Sequence, residues 1–293
     1  VRKSHPDALI ALSMFTPEDV RRDLEKLGYL VFDEPTRAVN AIKALSHFRR
    51  SFDAAKTAKP FKPDLTAAKL SLPDHAPNEY EAKQALAQAG FPIVAERLAA
   101  TPEGAAAAAE KIGYPVAMKI ASPDIQHKSE IGGVVLNLVN AFQVETAFDD
   151  VTMRAEKHAP NARIDGVIVA AMAPKGIEVI LGTSQDPVFG PVVMFGLGGI
   201  FVEVMKDVTF RVAPFGIEEA YKMIGGIKGA AILDGARGQK PGDKDALAQA
   251  LVKLSEIAAA NADTVESIDI NPFTVFEPGK GALAVDALIV MRK

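Results

Sequence analysis

Short apolar runs alternate with helical stretches along most of this chain, and nearly every run is bounded by glycine or proline. From Asn78 the alternation is regular. Asn78-Glu79-Tyr80-Glu81 starts a helix that ends at Gly90, and Pro92-Ile93-Val94 is a strand. Pro102 to Ile112 is a helix closed by Gly113, with Pro in its first turn and a plain alanine run at Ala105–Ala109. Val116–Ile120 and Val134–Leu138 are strands, and Val144–His158 is a helix. Gly166–Met172 and Glu178–Gly182 flank a Pro-Lys-Gly turn, and Pro191–Gly196 adds another apolar strand. A long helix over Lys244–Ala260, then Glu266–Ile270 and Gly281–Val290, complete the series. Strands paired through tight turns and mixed with helices predict a mixed α+β or mixed-sheet α/β fold.

The first part of the chain has a different rhythm. An apolar run at Ala8–Leu12 precedes a helix from Pro17 to Leu27, opened by Thr16-Pro17-Glu18-Asp19 and stopped at Gly28. Leu30-Val31-Phe32 reads as a strand and Pro35–Phe52 as a helix. This is too little to bury a core alone, so residues 1–52 are expected to close an α/β domain whose earlier part lies upstream. Residues 53–77 carry Pro60, Pro63, Pro73 and Pro77, which break every period and predict an extended linker.

Composition narrows the function classes. At 293 residues the chain is long enough for two domains or a two-lobed one. Apolar residues make up 48% and charged ones 24%, as in an ordinary globular core. A net charge of −4 and a pI near 5.8 argue against a nucleic-acid surface. There is no cysteine, which removes disulfides, thiolate zinc sites and a cysteine nucleophile. No run approaches the ~18 apolar residues of a membrane span, and no signal peptide opens the chain. A soluble, cytoplasmic protein with no membrane partner is the expectation.

The most informative stretch is Gly113-Tyr114-Pro115-Val116-Ala117-Met118-Lys119-Ile120, followed by Asp124 to Val134. A buried strand delivers one cation, Lys119, and His127 follows in a polar loop that ends at Gly132-Gly133. That pairing suits nucleotide phosphates beside a phosphoryl acceptor, although a solvated loop histidine has the same local sequence. No G-x-x-x-x-G-K-[ST] is present, so this is not a P-loop protein. Gly196-Leu197-Gly198-Gly199 offers free backbone N–H groups to an anion, or serves only as a tight turn. In Asp269-Ile270-Asn271 the alternation puts Asp269 and Asn271 on one face. Asp286 sits within the otherwise apolar Leu283–Leu288, expected as one strand; such a charge is costly unless paired or bound to a metal. Oxygen ligands from two neighbouring strands suit Mg²⁺, the alternative being an aspartate bonded to local backbone.

From Asn78 onward the chain resembles the ATP-grasp, β-subunit-like portion of the ADP-forming acyl-CoA synthetases, relatives of succinyl-CoA synthetase. The matching pieces are Tyr114–Lys119, His127–Val134, Gln185–Pro191, Phe195–Gly199, Ile268–Pro272 and Ala284–Asp286, in the family's order. Residues 1–52 resemble the tail of the flavodoxin-like CoA-ligase domain that precedes it in fused members. The resemblance implies a two-lobed ATP-grasp fold over 78–293, with a small lobe at about 96–165. It implies that Lys119 pairs with the phosphates of ATP or ADP. The hinge strand with Ala170 and Met172 would hold adenine, with Glu178, Gly198 and Gly199 facing the nucleotide. Asn271 and Asp286 would bind Mg²⁺. His127 would accept and pass on a phosphoryl, with Asp269 orienting its imidazole. Ala170 stands where members often have glutamine. The carboxylic acid and CoA would be handled through the upstream part, and the fused architecture suggests a homodimer. Two alternatives stay open: a ligand-sensing module of a protein acetyltransferase, and another ATP-grasp carboxylate ligase.

Overall fold

The computed structural model describes residues 4–5, 7–57, 61–125, 128–199, 206–238 and 240–292. The chain divides into two compact units, Val1–Pro60 and Phe61–Lys293. In the first, strand β1 (Ala11–Ser13) pairs in parallel with β2 (Leu30–Phe32) across helix α1 (Glu18–Lys26). Helix α2 (Pro35–Thr57) packs back on both strands and runs five residues beyond the expected end at Phe52. Arg21 pairs with Asp33, tying α1 to the turn after β2.

The second unit is built on two sheets. Helix α3 (Glu79–Gln88) begins in a capping box: the Asn78 side chain accepts from Glu81 N–H while the Glu81 carboxylate accepts from Asn78 N–H. Strand β3 (Glu96–Ala99), helix α4 (Pro102–Ile112), β4 (Val116–Ala121), β5 (Val134–Leu138), α5 (Ala141–His158) and β6 (Gly166–Ala171) follow. The four strands form an antiparallel sheet in the order β3-β6-β4-β5, covered by α4 and α5. The alanine run of α4 is what permits close helix packing: Ala105, Ala106, Ala108 and Ala109 are all buried against this small core. Gly166, with φ of 124°, lies where a Cβ would stand 2.3 Å from the Ala99 carbonyl oxygen, so only glycine lets β3 and β6 close at that end.

The larger sheet takes its strands from β7 (Ile177–Asp186), β8 (Gly190–Leu197), β9 (Val208–Val212), β10 (Val265–Val275), β11 (Ala282–Ala284) and β12 (Ala287–Met291). The order is β11-β10-β7-β8-β9, with β12 also on β10. Helix α6 (Ile217–Ile224) and the long α7 (Lys244–Ala260) cover it, and the main core gathers between α7 and the sheet.

Four expectations need correction. β6 belongs to the small sheet, so that lobe extends beyond 165 to Ala171. Only Ile93 of the expected 92–94 strand makes a bridge, to Ala284, and the true edge strand is Glu96–Ala99. The expected single strand over 281–290 is broken: Val285 and Asp286 lie between β11 and β12. The proline-rich stretch is no tether from Phe61 onward, because Ala68 and Leu70 are buried in the main core.

Asn261, at the end of α7, explains that last difference. Its side-chain Nδ2 donates to the carbonyls of Ala68 (3.0 Å) and Ile257 (2.8 Å), and Oδ1 accepts from Leu70 N–H (3.0 Å). A buried amide thus stands in for the secondary structure that the prolines deny this segment. Asn261→Ala leaves two buried backbone groups unpaired and is expected to destabilise the second unit by about 2–4 kcal/mol, read as a lowered urea midpoint.

Candidate active site

A cavity of about 610 Å³ opens where the chain passes from β6 to β7, and it spans both sheets. Much of its lining is apolar: Ala117, Leu136, Ala170, Ala171, Met172, Pro174, Ile177 and Phe276. Its charged and polar lining comes from Lys119, Lys175, Glu178, Lys240, Thr274 and Glu277. The size and the mix of apolar walls with cations fit a flat apolar group joined to an anion.

Lys119 stands on β4 between partners on both sides, at Ile168 of β6 and Val134 of β5. It is 9% exposed. Its Nζ donates to Glu79 Oε1 (2.9 Å), to the Val285 carbonyl (3.3 Å) and to Asp286 Oδ2 (3.2 Å). Burial alone would lower this ammonium, but the Glu79 and Asp286 carboxylates outweigh it and push its pKa up. The lysine is therefore a permanent cation in the wall of the cavity.

Ala170 is buried on β6 opposite Ala117 and Glu96, and Met172 N–H reaches the Pro115 carbonyl (3.4 Å). Together they form the apolar floor. Glu178 on β7 is exposed and lines both this cavity and a smaller neighbour of about 270 Å³ that Gly198 and Gly199 complete. Gly198 N–H donates to the Glu178 carbonyl (2.9 Å), and a Cβ on Gly198 would come within 3.0 Å of that oxygen. Gly199 has φ of 64°. Gly198 is thus set by a close backbone crossing and Gly199 by its left-handed backbone, whatever they bind.

Asn271 lies on β10 directly across from the break that holds Asp286: Asn271 N–H donates to the Asp286 carbonyl (3.3 Å). Asp269 and Asn271 are exposed while Ile268 and Ile270 are buried, so they share the outer face of β10 as the alternation predicts. Loss of hydration beside the sheet raises the Asp269 carboxyl above its usual range, and the Asp286 charge adds to the shift. Asp269 and Asp286 are thus close enough for one charge to act on the other, and Asn271 lies beside them on β10. Among the described residues no three acidic or histidine side chains converge to hold a metal ion. A hard cation that takes few protein oxygens and completes its shell with water and phosphate, as Mg²⁺ does, fits that donor set. His127, the expected phosphoryl acceptor, lies outside the described residues.

The sequence reading missed the charge network behind Lys119. Glu79, at the first turn of α3, is 3% exposed and takes three lysines: Lys83 (2.8 Å), Lys119 (2.9 Å) and Lys128 (2.9 Å). Burial opposes its ionisation, but the three ammonium groups hold its carboxyl far below the usual range. Lys83 is fully buried and also pairs with Glu96 on β3. Glu96 goes the other way: burial, helped by Glu79, outweighs Lys83 and pushes its pKa up to about 7. The spacing of Glu79 and Lys83, four apart on a capped helix, was the one signal in the sequence.

A model of the ATP-grasp domain family matches residues 69–291, and the chain belongs to that family. Its relatives are ADP-forming acyl-CoA ligases. It is 46% identical over 214 residues to the β subunit of acetate–CoA ligase [ADP-forming] II of Pyrococcus furiosus, covering 73% of this chain and 91% of that one. It is 40% identical over 264 residues to 4-hydroxybutyrate–CoA ligase [ADP-forming] of Nitrosopumilus maritimus, covering 87% of this chain but 38% of that longer protein. The dinucleotide-forming acetyl-coenzyme A synthetase 1 of Ca. Korarchaeum cryptofilum, solved with coenzyme A and Ca-AMPCP, superimposes with a TM-score of 0.71 at 41% identity, over 73% of this chain and 93% of that one. A second structure of that synthetase, with Mg-AMPPCP, has its phosphohistidine segment pointing towards the nucleotide binding site; the TM-score is 0.64 at 38% identity, over 73% and 92% of the two chains.

The network carries a pH dependence. The folded-state pKa of Glu96 is raised from 4.5 to about 7, so its proton contributes stability below pH 4.5 that is lost as pH rises through 7. The wild-type protein is expected to lose of order 3 kcal/mol of stability between pH 5 and 8 from this group, seen as a falling thermal midpoint, whereas Glu96→Gln flattens that decline.

Proposed function

We propose that this chain is the nucleotide-binding, phosphotransfer part of an ADP-forming acyl-CoA synthetase. The whole reaction would convert a carboxylic acid, CoA and ATP to acyl-CoA, ADP and phosphate through an acyl phosphate and a phosphohistidine. The observation that carries the proposal is the 610 Å³ cavity, apolar at Ala170 and Met172 and lined also by a permanently charged Lys119 beside Asp286. Purine stacks on the apolar walls and the phosphates extend toward Lys119, which exchanges its bonds to Glu79 and Asp286 for phosphate oxygens. Asn271 and Asp286 would hold Mg²⁺, which would supply charge neutralisation on the phosphates. A ring nitrogen of His127 attacks the γ-phosphorus, the bond to the bridging oxygen breaks, and ADP leaves. Asp269 orients that imidazole.

We further propose that residues 1–52 are the end of a CoA-ligase domain. The likeness to the 4-hydroxybutyrate ligase supports this, because it extends over 87% of this chain, well beyond the ATP-grasp match. In that arrangement the acid and CoA meet the protein through the preceding domain, and the complete enzyme is a homodimer in solution, a state that light scattering reads directly.

Incubation with γ-labelled ATP and Mg²⁺ tests the shuttle. Acid-labile, base-stable label is expected on the wild-type chain and none on His127→Ala, whose nucleotide affinity stays within about three-fold. Nucleotide binding without label would favour a ligand-sensing module instead. Lys119→Met removes a charge-assisted contact to the phosphates and is expected to weaken ATP binding by about 10- to 100-fold in calorimetry.

A further inference from the structure

The carboxylate of Glu79 is loaded unevenly. Its Oε1 accepts hydrogen bonds from both Lys83 and Lys119. Oε2 is buried and makes no hydrogen bond; Lys128 Nζ lies 2.9 Å from it as an ion pair. Lys83 has further acceptors in Glu96 and the Val285 carbonyl, and Lys119 has them in Val285 and Asp286. For Lys128, Glu79 is the one carboxylate reached among the described residues. The contact is well enclosed, with the Lys128 side chain 12% exposed and that of Glu79 2%. Around it is a small cavity of about 80 Å³ whose walls come from the start of α3 (Asn78, Glu79), the loop after β4 (Ser122, Ile125, Lys128) and Asp286.

Lys128 is also the upstream corner of the turn that returns the loop to β5. Its carbonyl accepts from Gly133 N–H (2.8 Å), and a Cβ on Gly133 would come within 3.0 Å of that oxygen. Gly132 holds φ of 68°, with its carbonyl accepting from Arg154 Nη1 (3.2 Å). The C-terminal half of the loop is thus held by Arg154 from α5 and by the Lys128–Glu79 pair from α3, while Asp124 and the buried Ile125 hold its start.

From this we infer that Glu79 is a positioning residue: by docking Lys128, the chain neighbour of His127, it governs how fast phosphoryl transfer to that histidine proceeds. The inference rests on the reading of His127 as phosphoryl carrier and adds a coupling to it. One carboxylate holds both the lysine at the phosphates and the lysine beside the carrier. When phosphate oxygens draw Lys119 away, the charge on Glu79 is compensated by one cation fewer, and its attraction for Lys128 rises. Nucleotide binding thereby tightens the loop's dock through a shared counter-ion.

Lys128→Gln tests this while leaving the Glu79–Lys83–Lys119 cluster intact, and Lys128→Arg is the conservative control. In hydrogen exchange of the nucleotide-free protein, the Gly132 and Gly133 amides are expected to exchange about ten-fold faster in Lys128→Gln, with β5 unchanged and Lys128→Arg close to wild type. A non-hydrolysable ATP analogue slows those amides in the wild type and not in Lys128→Gln. Labelling of His127 from ATP falls about ten-fold in rate while nucleotide affinity holds. Should Lys128→Gln fail to fold, Glu79→Asp, which keeps the charge but shortens the reach, is expected to give the same exchange pattern. Unchanged exchange at Gly132 and Gly133 overturns the dock, and faster exchange with an unchanged labelling rate overturns its positioning role. Absence of label in the wild type sinks the shuttle itself, a failure the exchange data keep distinct.

Discussion

A single buried carboxylate organises this site. Glu79 sits at the positive end of α3, where the helix dipole favours a negative charge, and it compensates Lys83, Lys119 and Lys128 at once. Charges taken out of water are tolerable only with such compensation, to which Asp286 adds, and Glu96 as well once it ionises. Three segments are tied to this cluster: β4 through Lys119, the β11–β12 break through Val285 and Asp286, and the loop after β4 through Lys128.

The arrangement suits chemistry in which highly charged phosphates enter and leave. A cation held by carboxylates is already ordered and in place, so a phosphate exchanges one anionic partner for another rather than ordering a free side chain. The apolar walls need no such balance. Ala117, Ala170 and Ala171 are small, and the slot they leave between the two sheets is bounded by larger apolar groups at Leu136, Met172 and Phe276. Glycines at 198 and 199 keep a second wall thin where β8 leaves β7.

Much of the fold was legible because local signals were strong. The capped α3, the Pro-started and Gly-ended α4 and the apolar runs of β4, β6, β7 and β8 all stand where the pattern of apolar and polar positions puts them. The errors fell where local signal was weak. β9 and α6 are short and partly exposed and went unread. The apolar stretch from Leu283 to Leu288 gave no hint that the strand breaks at Asp286. The prolines of residues 60–77 argued for a tether, whereas Asn261, nearly two hundred residues later in the chain, holds Ala68 and Leu70 in the core.

What the sequence determined by itself was the set of elements and the chemical types at the site: a lysine on a buried strand, oxygen donors near the end of the chain, glycines after β8. Periodicity and capping are local, and they are written in neighbouring residues. The tertiary structure alone decided which charges meet. Glu79, Lys119 and Asp286 come from three distant segments, and only the packing of α3 against β12, with β4 in the adjoining sheet, brings their side chains within hydrogen-bond distance. Coulombic pairing depends on distance in space, and sequence separation carries no record of that.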